Sequence, residues 1–371
     1  MRDSLTIGRI AGIRFGVNWT WVIVFGLIVW TLAGGVFPDT NPGLARTTYA
    51  AMALVAALLF FGSLLAHELG HALVARREGM EIEGITLWLL GGVARFRSMF
   101  PSAGAEFRIA ITGPLVSLVL GLAFAAAAWL AGLTEEVDAV AIWLGYINLS
   151  LAVFNLLPAL PLDGGRVLRS ALWRARGDFG WATVVAAGLS RAFGVLLLAG
   201  GGALLVWQSA SSGVWLMLVG LFLLQAAAAE VRFLSTQRAL GGLRVRDLMV
   251  REPVTARPDE TVREFFDETA WSRRLATYPV TDHGRVLGLV PFRRLAQVPR
   301  REWTVRTVRD YMTPLAEVPV VRPDDELVVA AGELSGSKLD GGLVLQDGTI
   351  LGVLSLADVA RALERRTRRN R

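Results

Sequence analysis

The chain has 371 residues, of which 53% are hydrophobic and only 19% charged, a balance too apolar for an ordinary soluble enzyme but one that membrane spans account for. It has no cysteine, which excludes disulfides and thiolate metal sites. The net charge of +6 rests almost wholly on arginine, Lys338 being the sole lysine, so nucleic acid is not an expected partner and the placement of charge matters more than its total.

Residues 1–16 are mixed, with Arg2, Arg9 and Arg14. No small-residue cleavage site follows a short apolar run, so the first hydrophobic segment is read as a retained span. Six segments approach the ~20 apolar residues that cross a bilayer. They cover about 17–37, 48–75, 109–133, 137–157, 182–207 and 214–233. Arginines precede the first span and follow the second (Arg76, Arg77), the fourth (Arg166, Arg169, Arg174, Arg176) and the sixth (Arg232, Arg238). The alternate loops hold Asp39 and Arg46, then Glu135, Glu136 and Asp138, then no charge. The positive-inside rule places both termini in the cytoplasm of a multi-pass plasma-membrane protein.

The second span carries His67-Glu68-Leu69-Gly70-His71, which uses two of the three histidines in the chain. Residues i and i+4 share a helix face, so both imidazoles reach one Zn²⁺, and Glu68 can take a proton from a water beside it. Titratable groups inside an apolar span are costly and default to a functional reading.

Residues 85–96 (ITLWLLGGVARF) are too few to cross and have Gly91-Gly92 at their middle. Two strands around a Gly-Gly turn fit this pattern, with an edge to offer an extended peptide. An interfacial loop fits the periodicity equally well. The fourth span ends in Asn155-Leu156-Leu157-Pro158-Ala159-Leu160-Pro161-Leu162-Asp163-Gly164-Gly165-Arg166. Two histidines leave catalytic zinc one protein ligand short, and Asp163, at matching depth, completes a His₂Asp site. Alone, Pro-Leu-Asp-Gly-Gly also reads as a helix cap and turn; the unmet valence decides for the ligand.

After Leu240 the composition becomes charged and repeats. Arg246-Asp247-Leu248-Met249 recurs as Arg309-Asp310-Tyr311-Met312, and Gly284-Arg285-Val286-Leu287-Gly288 as Gly348-Thr349-Ile350-Leu351-Gly352. A period of roughly sixty residues suits two copies of a small α/β module. The expected domains are 1–240 in the membrane, modules at 241–300 and 301–365, and a basic tail at 366–371. The arginine-rich end from Arg365 reads as a disordered, solvated segment, contact with anionic lipid being the alternative.

HELGH on one span with NLLPALPLDGGR on a later one resembles the site-2 protease family of intramembrane zinc metalloproteases. The resemblance covers essentially the whole chain, since one branch of that family carries two cystathionine-β-synthase-type (CBS) modules after six spans. It implies a polytopic α-helical membrane protein of six transmembrane helices, with a short β-hairpin near the active site, followed by a cytoplasmic α/β tandem CBS-type domain. His67, His71 and Asp163 then match the zinc ligands and Glu68 the catalytic base. Asn155 matches a motif asparagine that binds substrate or the oxyanion, a polar packing role being the alternative; Gly91 and Gly92 belong to the edge that would hold unwound substrate. Gly113-Pro114 resembles a family feature for close helix packing.

The implied substrates are membrane proteins with a transmembrane helix, such as anti-sigma factors. For the modules, Ser355-Leu356-Ala357-Asp358 fits a pattern for binding ATP or AMP, while Pro291-Phe292-Arg293-Arg294 in the first copy does not. Homodimerisation through the pair is the other expectation. The rival function is a CBS-regulated transporter or channel, which would need His67, Glu68, His71 and Asp163 to form an ion path; a metal scaffold without activity is a third.

Overall fold

The computed structural model of the chain describes residues 5–10, 12–88, 91–96, 100–130, 132, 134–207, 210–272, 275–337 and 339–369. The chain falls into two units, Met1–Leu234 and Ser235–Arg371. Among the described residues, six helices are long and apolar enough to cross a membrane.

The first unit opens with a hairpin, β1 (Leu5–Ile10) and β2 (Ile13–Val17), in the mixed N-terminal stretch. There follow α1 (Thr20–Thr31), a π-turn (Leu32–Val36), the short α2 (Phe37–Thr40) and the long α3 (Arg46–Arg77). Arg76 and Arg77 occupy the last turn of α3, where positive charge complements the helix dipole. The chain then leaves through a Schellman turn. Met80 N–H donates to Ala75 O and Gly79 N–H to Arg76 O, and Met80 packs back on Ala75.

That exit launches β3 (Ile82–Trp88) and β4 (Gly91–Phe96). β2 pairs in parallel with β3, Phe15 opposite Ile85, so the predicted hairpin is half of a four-stranded sheet ordered β1-β2-β3-β4. Gly91 and Gly92 do not form the turn. They pair with Trp88 and Leu87 inside the ladder, because β3 runs on to Trp88; residues 89–90 lie outside the described residues.

The remaining helices of this unit are α4 (Ala103–Leu130), α5 (Glu135–Asn155), α6 (Asp163–Arg176), α7 (Phe179–Trp207) and α8 (Ala210–Leu240), whose last turns enter the second unit. Acidic Glu135, Glu136 and Asp138 open α5, as the dipole favours. α6 has 14 residues, too few to cross. Asp178 caps α7, its Oδ1 accepting from Gly180 and Trp181 N–H at 2.8 and 3.0 Å. Exposed Leu118, Val119, Leu122, Trp129 and Leu130 on α4 make an apolar surface suited to lipid rather than water.

Among the described residues, the second unit holds seven strands: β5 (Val250–Arg251), β6 (Thr277–Asp282), β7 (Arg285–Pro291), β8 (Thr313–Pro314), β9 (Val320–Val321), β10 (Gly341–Gln346) and β11 (Thr349–Ser355). They form sheets ordered β5-β11-β10-β9 and β6-β7-β8, so each repeat lends a short strand to the other's sheet. The first glycine of each repeat, Gly284 and Gly348, sits in a two-residue hairpin turn. His283-Gly284 and Asp347-Gly348 all have positive φ, as a type I′ turn requires. The recurring aspartates cap helical turns: Asp247 accepts from Arg244 N–H at 2.8 Å and Asp310 from Thr307 N–H at 3.1 Å. The arginine-rich end is not disordered through most of its length. It belongs to a helix, Leu356–Arg369, whose Leu356, Val359 and Leu363 pack on a core with Leu327 and Leu354.

Candidate metal centre

α3 presents His67 and His71 one turn apart, and both are buried. α6 begins at Asp163, also buried. Asp163 Oδ2 lies 3.3 Å from His67 Nε2 and 3.2 Å from His71 Nε2, and the two Nε2 atoms are 3.2 Å apart. This is a nearly equilateral triangle of ligand atoms. Zinc at about 2.0–2.1 Å from each ligand in a tetrahedron needs ligand separations of about 3.3 Å. The triangle therefore fits zinc, with the fourth position left open.

The far ring nitrogen sets the tautomer of His71. His71 Nδ1 donates to the Ile109 carbonyl at 2.6 Å, which leaves the Nε2 lone pair facing Asp163. His67 Nδ1 is 2.8 Å from Ser117 Oγ, itself fully buried. Lone pairs and a carboxylate that converge repel one another unless a cation lies among them. A ligating carboxylate must be ionised, and the positive charge of Arg166 within electrostatic reach of Asp163 favours that form.

Two glycine sites make this approach possible. A Cβ at Gly113 of α4 would fall 2.5 Å from His67 Nε2 and closer still to His71 Nε2, so only glycine leaves the face of the triangle open. At Gly164 and Gly165 a Cβ would overlap the backbone of Leu156 and Leu160, so the pair lets α6 start tight against the loop 156–162. The Asp-Gly-Gly sequence does turn the chain into a helix, and in doing so it delivers Asp163.

Glu68 follows His67 on α3, half-buried and within electrostatic reach of His71, Asp163 and Arg166. Asn155 closes α5; among the described residues its side chain makes no hydrogen bond. Gly91 and Gly92 lie in β4, the terminal strand of its sheet. Ser355 and Asp358, in the second unit, form a reciprocal cap. Ser355 Oγ donates to Asp358 Oδ2 at 2.5 Å and accepts from Asp358 N–H at 3.2 Å. The sequence reading missed Ser117 and the Ile109 carbonyl, and it favoured helix packing over chemistry for Gly113. Their spacing along α4 (109, 113, 117) was the available signal, being one helical stripe.

Six membrane-length helices among the described residues, together with a buried His₂Asp cluster, define a multi-pass membrane protein with a centre of the zinc-peptidase type. The chain matches Peptidase family M50 over residues 55–134 and 131–199, and the CBS domain over 245–300 and 308–365. It is 38% identical to Rip3 of Mycobacterium tuberculosis, covering 98% of this chain and 94% of that protein. It is 30% identical to the zinc metalloprotease MJ0392 of Methanocaldococcus jannaschii, covering 98% of this chain and 97% of the relative. The solved site-2 protease from Methanocaldococcus jannaschii aligns at 30% identity and a TM-score of 0.44, over 62% of this chain and 95% of that one. The chain belongs to Peptidase family M50, the site-2 proteases, and is an intramembrane zinc metalloprotease with a C-terminal CBS pair.

Proposed function

We propose that His67, His71 and Asp163 hold the zinc ion and that Glu68 is the general base for hydrolysis of peptide bonds in or near a substrate's transmembrane segment. The observation that carries this reading is the 3.2–3.3 Å triangle of Nε2, Nε2 and Oδ2. When bound, zinc supplies Lewis acidity, which activates water and polarises a scissile carbonyl. Glu68 accepts the proton of the attacking water and returns it to the leaving amine. Asn155 donates to the developing oxyanion. Ile109 and Ser117 fix the imidazoles by their far nitrogens.

A helical peptide bond is shielded by its own hydrogen bonds, so the substrate unwinds locally before cleavage. The outer edge of β4, with Gly91 and Gly92, receives the unwound segment by strand addition; the terminal place of β4 in the sheet supports this. Arginines at alternate ends of the spans support cytoplasmic termini in a plasma membrane. Domain limits at 1–240, 241–300 and 301–365 follow the composition change and the repeat. Membrane-bound regulators such as anti-sigma factors are the proposed substrates.

Stripping the metal from full-length protein in proteoliposomes is expected to bring cleavage of a single-span substrate to background, and added Zn²⁺ to restore it. Cleavage that survives complete removal of metal overturns the reading.

The CBS pair is proposed to bind ATP or AMP at Ser355 and Asp358, with homodimerisation as a second role. Calorimetry on the full-length protein is expected to give heat with one of these nucleotides, and Asp358→Ala to abolish it. Silence with both would rule out nucleotide control.

A further inference from the structure

Outside the triad, the first unit buries a second polar cluster. Arg169 of α6 is 4% exposed. Its Nε donates to Glu106 Oε1 of α4 at 2.7 Å, and a second guanidinium nitrogen lies 2.5 Å from the same oxygen. A third contact runs from Arg169 Nη1 to Glu230 Oε2 of α8 at 3.3 Å, and the guanidinium lies over the Phe179 ring at 4.9 Å. Glu106 is fully buried, and its Oε2 has no partner among the described residues.

Packing alone does not call for this arrangement, since apolar side chains of similar volume would join the same helices without desolvating two ions. What an ion pair adds is direction, because a guanidinium fixes the carboxylate it holds in distance and angle. The direction here concerns the metal centre. Along α4, Glu106, Ile109, Gly113 and Ser117 lie at steps of three, four and four, on one stripe. Ile109 holds His71, Ser117 holds His67, and Gly113 lies beneath both Nε2 atoms. Glu106 ends the same stripe and holds α6, the helix that carries Asp163. α4 thus contacts both halves of the triad's support. Because α6 follows an irregular loop, its slide and rotation decide whether Asp163 stays 3.2–3.3 Å from the imidazoles.

We propose that Glu106 and Arg169 are positioning residues that hold α6 in the register placing Asp163 against His67 and His71. This inference rests on the ligand set proposed above. Full-length protein in detergent is titrated with zinc against a competing chelator, and the visible absorption of the Co²⁺-loaded form is recorded. Arg169→Lys and Glu106→Gln keep size, and each removes part of the fork. Both are expected to weaken zinc binding, by no more than the roughly 10–100-fold that loss of a group bonded directly to a ligand costs, and to shift the cobalt bands toward those of Asp163→Ala. The exchanged pair Glu106→Arg with Arg169→Glu is expected to recover part of the affinity, whereas Glu230→Gln, at the longer contact, changes it least. Unchanged zinc affinity and cobalt bands in correctly folded Arg169→Lys and Glu106→Gln would overturn the positioning role while leaving the ligands standing. Unchanged metal affinity in Asp163→Ala would overturn the ligand set, and this inference with it.

Discussion

Glu68→Gln is expected to keep its zinc and to lose cleavage by roughly 10²–10⁴-fold, the range over which a positioned general base acts. The amide is isosteric with the carboxylate but cannot take a proton from water. Retention of metal follows from the geometry, because the triangle is complete with His67, His71 and Asp163 and draws nothing from Glu68. Zinc content and cleavage of a single-span substrate in proteoliposomes measure the two properties separately. Undiminished cleavage removes Glu68 from the role of base; lost zinc makes it part of the metal site instead. The inactive, metal-loaded variant also retains bound substrate, so cross-linking it in native membranes identifies what the protease cuts.

The half of the site on α3 was legible because imidazoles and a carboxylate inside an apolar span have few structural reasons to be there. Asp163 was legible through an unmet valence and through the prolines and glycines around it. What places these groups was harder to read. Ser117 is a small polar residue in a long apolar helix, and a sequence does not say which way such a helix faces. The Ile109 carbonyl carries no side-chain signal at all.

The fold shows the same division. The CBS repeat was readable because turn glycines and capping aspartates recur at fixed offsets. The sheet was only half readable, since β2 pairs with β3 across some seventy residues, Phe15 with Ile85, and no local pattern encodes such a register. At the C-terminus the run of arginines suggested disorder. The helical spacing of Leu356, Val359 and Leu363 is the signal that a compositional reading passes over.

Gly113→Ala carries the other large expected effect, and it separates the site from the fold by sign. In a helix interior, alanine is favoured over glycine by about 0.5–1 kcal/mol, so on propensity alone the substitution stabilises α4. The added methyl group, however, would lie 2.5 Å from His67 Nε2 and closer to His71 Nε2, against both ligand nitrogens at once. The imidazoles have no easy retreat, because Ile109 and Ser117, a turn on either side along the same helix, hold their far nitrogens. Zinc affinity is therefore expected to fall by at least the roughly 10–100-fold of an outer-shell change, and cleavage with it, in a protein that remains folded. Gly188→Ala supplies the matched control: it lies in α7, has nothing within 4 Å of the new Cβ, and is expected to bind zinc as the unaltered chain does. Full metal binding by Gly113→Ala would mean that the histidines face elsewhere, and that α4 supports the helix bundle without shaping the centre.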